Sequence, residues 1–194
     1  MKFILGALVI LIATGVYLYP RMTKNEPLPQ LVPETQTGPG EMKLTSVDFK
    51  PTEALPKFVS CEGGGEFPSL TISEVTYLAK SLVLIVEDRD VPKVFRPDGL
   101  FDHFLLFNIP PETQNIGPTK FPGIRGKTSS GGLDFVPPCP PKEYSPNQHR
   151  YYFSLYALDT MLELKEGASK EDLISKMTGH ILTSTQLMGT YKKQ

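Results

Sequence analysis

The chain has 194 residues, of which 40% are hydrophobic and 21% are charged, enough for one well-buried core and too few for two. Its formal net charge of -1 excludes the global positive field that draws proteins to nucleic acid or anionic membrane surfaces, so any anion site must be local. The 19 prolines and 16 glycines, with no tryptophan, favour a strand-based body with many turns over a helical bundle.

The chain begins with an apolar run, from Phe3 to Tyr19, of 17 residues without a charge. As an α-helix this run would be about 26 Å long, near the lower limit for crossing a bilayer. It therefore predicts a single-pass membrane anchor at residues 1–19, a membrane localisation and the membrane as a partner. Two alternatives stay open: a signal peptide cleaved near residues 13–15, which would leave a secreted or periplasmic protein, and a buried core helix.

Residues 20–41 contain five prolines among polar residues. Such a composition cannot bury a core and tends towards extended polyproline geometry. It predicts a Pro-rich linker, with an arm packed on the domain surface as the alternative. The folded domain is then expected to occupy residues 42–194.

Short apolar runs in this domain predict strands. Three of them, residues 81–87, 103–109 and 150–158, are bounded by turn residues and are typical of central strands buried on both faces. Ser169 with Asp172 three residues later resembles a capping box, and the apolar spacing that follows predicts a short helix ending before Gly179. Period-two alternation over residues 181–187 predicts a final strand.

Polar side chains stand at the ends of these strands. Asp88 and Asp90 follow the first strand, at a spacing that points both carboxylates the same way if the strand geometry persists. His103 opens the second strand, and His149 precedes the third. Imidazole N–H groups bind phosphate well, and a carboxylate behind an imidazole fixes its tautomer and raises its basicity. The pattern predicts an anion site at one rim, where the aspartates orient the imidazoles.

Longer motifs contain the same residues: Asp88-Arg89-Asp90-Val91-Pro92, the run Asp-His-Phe-Leu-Leu-Phe-Asn at 102–108, and Pro138-Cys139-Pro140-Pro141 followed by His149-Arg150-Tyr151. These resemble three ordered motifs of the phosphatidylethanolamine-binding family: Asp-Pro-Asp-x-Pro, its His-containing second motif, and Gly/Cys-Pro-Pro with His-Arg-Tyr. Residues 155–159 resemble the bacterial Raf-kinase-inhibitor-like branch. With residues 60–63, 179–182 and 189–191, the resemblance covers nearly all of the body.

The resemblance implies a mainly β fold, a β-sandwich with a few short peripheral helices. It also implies a preformed pocket for a small phosphate-like anion or a phospho-head group such as phosphoethanolamine, and a kinase or protease as a protein partner under regulation. The ligand-binding residues that it implies are Asp88, Asp90, His103, Pro140, Pro141, His149 and Tyr151.

Two residues depart from the family pattern. Arg89 replaces the first motif's Pro and would either face solvent or tighten phosphate binding. Gln148 stands where Gly commonly precedes His-Arg and would make the approach to the pocket less open.

A binding module is preferred to an enzyme, and neither a cofactor nor a metal is predicted. The alternative is a hydrolase, with Cys139 and His149 as nucleophile and base, or with a metal held by the histidines and aspartates of the site. The sequence contains no Gly-x-Ser-x-Gly or His-Glu-x-x-His signature. A third hypothesis is a regulator that grips a protein partner, for which an exposed loop at residues 117–132 is the candidate.

The two cysteines, Cys61 and Cys139, lack the paired spacing of a zinc site and allow at most one bridge. The resemblance to a family with cytosolic relatives implies free thiols. Free thiols are therefore the prediction.

Overall fold

The computed structural model describes residues 41–194. Within this range strands dominate, and one α-helix, α1 (Lys170–Met177), lies near the C-terminus. A single turn of 3-10 helix occupies Lys57–Val59. The strands in chain order are β1 (Lys43–Ser46), β2 (Leu70–Ser73), β3 (Ser81–Asp88), β4 (Phe101–Ile109), β5 (Asn115–Ile116), β6 (Ile124–Arg125), β7 (Gln148–Leu158) and β8 (Ile181–Lys192).

The strands form two antiparallel sheets, a five-stranded sheet in the order β6-β4-β3-β7-β8 and a three-stranded sheet in the order β1-β2-β5. One face of the larger sheet packs on the smaller one, as in the contact cluster that contains Leu84 of β3 and Leu44 of β1. Its opposite face packs on α1, where Val83 shares a cluster with Leu173. The predicted mainly β sandwich with a peripheral helix is confirmed.

The central strand β3 follows directly from its sequence. All eight of its residues are buried, because β4 and β7 flank it and both faces of the sheet are covered. The three predicted apolar strands correspond to β3, β4 and β7. The final strand, β8, extends to Lys192, beyond the predicted alternation, because it pairs along the whole of β7.

Helix α1 begins where the sequence predicts. The Ser169 side chain accepts a hydrogen bond from the backbone N–H of Asp172, and the Asp172 side chain accepts one from the backbone N–H of Ser169. This reciprocal pair satisfies two N–H groups that the first turn leaves without partners. Leu173 and Met177 are buried on the sheet, so the predicted capping box and helix are confirmed.

The membrane interpretation requires correction. Within residues 41–194, no helix is long and apolar enough to span a bilayer, and the eight residues of α1 reach only about 12 Å at ~1.5 Å per residue. The run at residues 1–19 lies outside the described residues, as does the linker up to residue 40, whose boundary stays a prediction. The transmembrane anchor, the membrane partner and the membrane localisation are accordingly withdrawn.

The prediction of free thiols is wrong. Cys61 and Cys139 form a disulfide, with their Cα atoms 5.5 Å apart and a sequence separation of 78. The Cys61 N–H donates a hydrogen bond to the carbonyl oxygen of Pro138 at 3.0 Å, which aligns the two segments side by side. That contact belongs to the tertiary structure, so the sequence shows only that a bridge is possible.

Candidate functional site

A cavity of about 240 Å³ opens where β3 ends and where β4 and β7 begin. Its polar lining is Asp88, His103, His149 and Tyr151. The rest of its wall is mostly apolar and consists of Val91, Pro92, Phe95, Phe101, Val136, Pro137, Cys139, Pro140 and Pro141. Six of the seven predicted ligand-binding residues therefore come together in one cavity, and Asp90 does not line it.

Asp88 and His149 form the buried pair of the cavity, with only 4% and 1% of their surfaces exposed. Antiparallel pairing places Asp88, the last residue of β3, opposite Tyr151 of β7. His149 comes two residues earlier in β7, so it lies just beyond the end of β3. Nδ1 of His149 is 2.6 Å from Oδ2 of Asp88. Nε2 of His149 is also buried, and it has no hydrogen-bond partner within residues 41–194. One ring nitrogen is thus held by the protein, and the other has no partner among the described residues.

Protonation of His149 is favoured despite its burial. Burial alone would lower its pKa, but the hydrogen bond to Asp88, the negative charges of Asp88 and Asp90, and the carbonyl of Pro146 together raise the pKa above its ordinary value. A protonated imidazole donates from both nitrogens. Once protonated, His149 therefore places an N–H donor with positive charge in a largely apolar cavity.

His103 is held differently. Its Nδ1 lies 2.5 Å from the carbonyl oxygen of Val136, and its ring packs against Phe101 and Tyr151 with centroids 4.8 and 5.2 Å away. A carbonyl only accepts, so Nδ1 carries the proton. Burial lowers the pKa of His103, and this outweighs the opposing effect of the Val136 carbonyl. The ring is a neutral imidazole oriented by backbone, and the prediction that an aspartate orients it is wrong.

A β-bulge brings His103 to the cavity. In the β3–β4 register Val86 faces Phe104, whereas the next residue, Glu87, faces Asp102. His103 is therefore the extra residue of β4. Strict alternation would have placed His103 on the side of Leu105, which packs towards α1.

Asp90 orients an arginine instead of an imidazole. Its carboxylate accepts hydrogen bonds from Nε and Nη2 of Arg150 at 2.8 and 2.7 Å, and from the Arg150 backbone N–H at 2.8 Å. These bonds hold the pKa of Asp90 below its ordinary value although partial burial opposes ionisation. The predicted common direction of Asp88 and Asp90 is thus corrected, because β3 ends at Asp88.

The two departures from the family pattern lie away from the cavity lining. Arg89 donates from Nε to Oε1 of Glu87 at 2.6 Å, and its guanidinium carbon stands 4.0 Å from the centre of the Tyr152 ring. Arg89 is thereby directed away from a cavity ligand. Gln148 is the exposed first residue of β7 and does not narrow the cavity.

Several cavity residues carried no signal in the sequence. Val136 acts through its carbonyl oxygen, which every residue possesses. Phe95 is half-exposed at the mouth, where its ring meets Tyr144 edge-on at 4.6 Å. Isolated aromatic residues in a Pro-rich loop do not predict such a contact, so only the tertiary structure identifies these cavity residues.

The enzymatic alternatives find little support in the geometry. Sγ of Cys139 is bonded to Cys61, so it is not a thiolate nucleophile. Among the described residues, no group of three or more His, Cys, Asp or Glu side chains is placed to hold a metal ion.

The loop at residues 117–132 lines a second cavity, of about 440 Å³, together with residues such as Phe67 and Phe135. No described contact identifies an occupant of this cavity. The kinase or protease partner of this protein stays a prediction.

Sequence comparisons agree with the motifs. The family model described as phosphatidylethanolamine-binding protein matches residues 45–192. A UPF0098 protein of Chlamydia trachomatis is 44% identical over 153 residues, which cover 78% of this chain and 99% of that protein. A UPF0098 protein of Methanothermobacter thermautotrophicus is 36% identical over 159 residues, with the same coverage of both chains.

Solved structures show the same fold. The crystal structure of a phosphatidylethanolamine-binding protein homologue from Chlamydia trachomatis superposes with a TM-score of 0.76 at 44% identity, covering 80% of this chain and 99% of that one. YbcL of E. coli, described as a member of the mammalian family, superposes with a TM-score of 0.69 at 24% identity, covering 79% and 99%. The strand order, the motifs and these likenesses together establish that this chain belongs to the phosphatidylethanolamine-binding protein family, in its bacterial-type branch.

Proposed function

We propose that this protein binds a small phosphate-like anion or phospho-head group in the cavity at the ends of β3, β4 and β7, as a binding protein and not as an enzyme. The observation that carries this proposal is the difference in hydrogen bonding between the two ring nitrogens of His149. Its Nδ1 is held by Asp88, and its Nε2 is buried without a partner. An unsatisfied buried polar atom costs about 1–3 kcal/mol, and an anionic oxygen at Nε2 would recover that free energy.

The remaining lining favours the same ligand. Burial raises the pKa of Tyr151, so its hydroxyl stays protonated and is able to donate. The proline and aromatic walls offer few polar groups, and the low local polarity strengthens the attraction between the imidazolium and an anion. A cavity of about 240 Å³ is small for a drug-sized molecule, as cavities for such ligands span roughly 300–1,000 Å³, and it suits a tetrahedral oxyanion with a short substituent.

Titration calorimetry with sulfate and with phosphoethanolamine, at about pH 6 where an imidazole is readily charged, tests the proposal. His149→Ala removes the charged donor. We expect affinity for both anions to fall about ten- to hundredfold, as for the loss of a charge-assisted bond of about 1.5–3 kcal/mol.

His180 supplies a matched control. It forms the same kind of pair at the surface, with Nδ1 2.8 Å from Asp159 Oδ1 and both side chains about half exposed. His180→Ala should leave anion affinity unchanged. Wild-type affinity in His149→Ala, with the fold intact by circular dichroism, would reject the anion site, as would the absence of binding by any phosphate-like anion to the wild type.

A further inference from the structure

The two cavity histidines differ in what holds their Nδ1 atoms. His149 is held by the Asp88 carboxylate at 2.6 Å, and His103 by the Val136 carbonyl at 2.5 Å. Both partners are acceptors, so both rings carry their first proton on Nδ1. What each ring presents to a ligand is therefore decided at Nε2.

A second proton is favoured on His149 and disfavoured on His103. The carboxylates of Asp88 and Asp90 stabilise imidazolium at His149, and Arg150 takes up much of the charge of Asp90 through two hydrogen bonds. Burial lowers the pKa of His103 and outweighs the raising effects of the Val136 carbonyl and the Asp88 charge, while the positive charge of His149 adds a smaller lowering effect.

The cavity consequently offers two unlike nitrogens. Nε2 of His149 bears a hydrogen and donates, whereas Nε2 of neutral His103 has a free lone pair and accepts. Nε2 of His149 is buried without a hydrogen-bond partner within residues 41–194, and the hydrogen bond described for His103 uses its Nδ1. A fully ionised anion would satisfy His149 but would set its oxygen lone pairs against that of His103.

We propose that this cavity selects a phosphate group that retains one P–OH, whose anionic oxygen accepts a hydrogen bond from His149 Nε2 while its hydroxyl donates to His103 Nε2. This inference rests on the proposed function and narrows its ligand class to groups that keep a P–OH, namely phosphomonoesters in the singly charged form and inorganic phosphate. A phosphodiester, the form found in an intact phospholipid head group, has the single charge but no hydroxyl. Sulfate has neither property.

Ethyl phosphate and dimethyl phosphate test the inference, because they are isomers with the same atoms. At about pH 5 both are mainly monoanions, since the second pKa of a phosphate ester is about 6, and only ethyl phosphate has a P–OH. We expect calorimetry on the full chain to show ethyl phosphate binding at least about tenfold more tightly, as for a buried acceptor left unpaired.

His103→Phe is the matched variant, because it retains an aromatic ring between Phe101 and Tyr151 and removes the acceptor. The preference for ethyl phosphate should shrink to about twofold or less. A preference that persists in a folded His103→Phe protein would overturn the assignment of His103 as the acceptor.

The wild-type comparison stands without the variant. Equal affinities for the two isomers would overturn the inference and leave the anion site intact, whereas failure of both esters, phosphate and sulfate to bind would reject the proposed function itself. Raising the pH to about 8, where ethyl phosphate is a dianion without a P–OH, should weaken ethyl phosphate binding more than sulfate binding. A parallel loss for both anions would contradict the inference, because it would report only the titration of His149.

Discussion

Asp88 and Asp90 are two residues apart, yet they hold different partners, the His149 imidazole and the Arg150 guanidinium. Asp88 is the last residue of a buried strand and points into the cavity, whereas Asp90 lies past the strand end. Identical side chains therefore have separate roles. Asp88 fixes the tautomer of His149 and supports its charge, while Asp90 acts on His149 only through space.

The two aspartates, Asp88 and Asp90, allow a prediction with a matched control. In NMR titrations of the imidazole carbon-bound protons, His149 should titrate above the ordinary value of about 6.5 and His103 below it. Asp88→Asn should bring the pKa of His149 below that value, because burial then acts with much less compensation. Asp90→Asn should lower it less. An unchanged His149 titration in Asp88→Asn would contradict this assignment.

The raised pKa of His149 and the lowered pKa of His103 have opposite consequences for the pH dependence of stability. Since the folded-state pKa of His149 is raised, its contribution is complete below the unfolded value of about 6.5 and is lost as the pH rises through the folded pKa. His103, whose pKa is lowered, destabilises the fold as the pH falls below 6.5. In urea denaturation, His149→Gln should therefore lose more stability at about pH 5.5 than at about pH 8.5, relative to wild type. A pH-independent difference would contradict this coupling.

Behind the cavity, on the opposite face of the larger sheet, a buried lysine of α1 contacts strands β3 and β4. Nζ of Lys170, at the start of α1, lies 2.9 Å from Glu87 of β3 and 2.5 Å from Asp102 of β4. Each carboxylate neighbours a cavity residue in the chain, namely Asp88 and His103. Lys170 thus ties α1 to the two strand ends that position the site.

Removing this lysine should be costly. In Lys170→Met the buried carboxylate of Glu87 and the partly buried carboxylate of Asp102 lose their shared cation, so we expect the free energy of unfolding to fall by about 3–5 kcal/mol in urea denaturation at neutral pH. Lys176→Met, the same change at an exposed position of the same helix, should cost only a few tenths of a kcal/mol. Equal effects of the two substitutions would show that the buried network contributes nothing measurable.

At the scale of the whole molecule, the disulfide joins the cavity wall to the far edge of the larger sheet. Cys139 belongs to the wall, and Cys61 lies in a segment anchored to β8. The hydroxyl of Tyr191 accepts from Ser60 Oγ at 2.7 Å and donates to Glu62 Oε2 at 2.6 Å. The disulfide therefore attaches the cavity wall at Cys139 to β8, a strand that does not itself line the cavity.

Replacing both cysteines by serine should lower the free energy of unfolding by roughly 4 kcal/mol, because the bridge closes a loop of 78 residues in the unfolded chain. Sulfate affinity should also fall, since the wall is less constrained. Denaturant unfolding with and without a thiol reductant checks the first expectation, as the exposed bridge is accessible to reductant. Identical stability of oxidised and reduced protein would contradict it.

The sequence by itself determined the class of fold and most of the site's composition. Runs of apolar residues marked β3, β4 and β7, because a strand covered on both faces requires them. The capping box marked α1, since the pattern acts within one turn of chain. Polar residues at the strand ends named Asp88, His103 and His149 of the cavity lining, and the family resemblance added Pro140, Pro141 and Tyr151.

Tertiary structure decided the rest, because the deciding contacts join atoms far apart in sequence or belong to the backbone. The bulge at His103 arises from pairing between strands, the Val136 carbonyl carries no side-chain signal, and Cys61 meets Cys139 only through the packed loops. The sequence pattern predicted a carboxylate partner for both histidines. The folded chain gives one histidine a carboxylate and the other a carbonyl, and this difference in charge determines which nitrogen donates and which accepts.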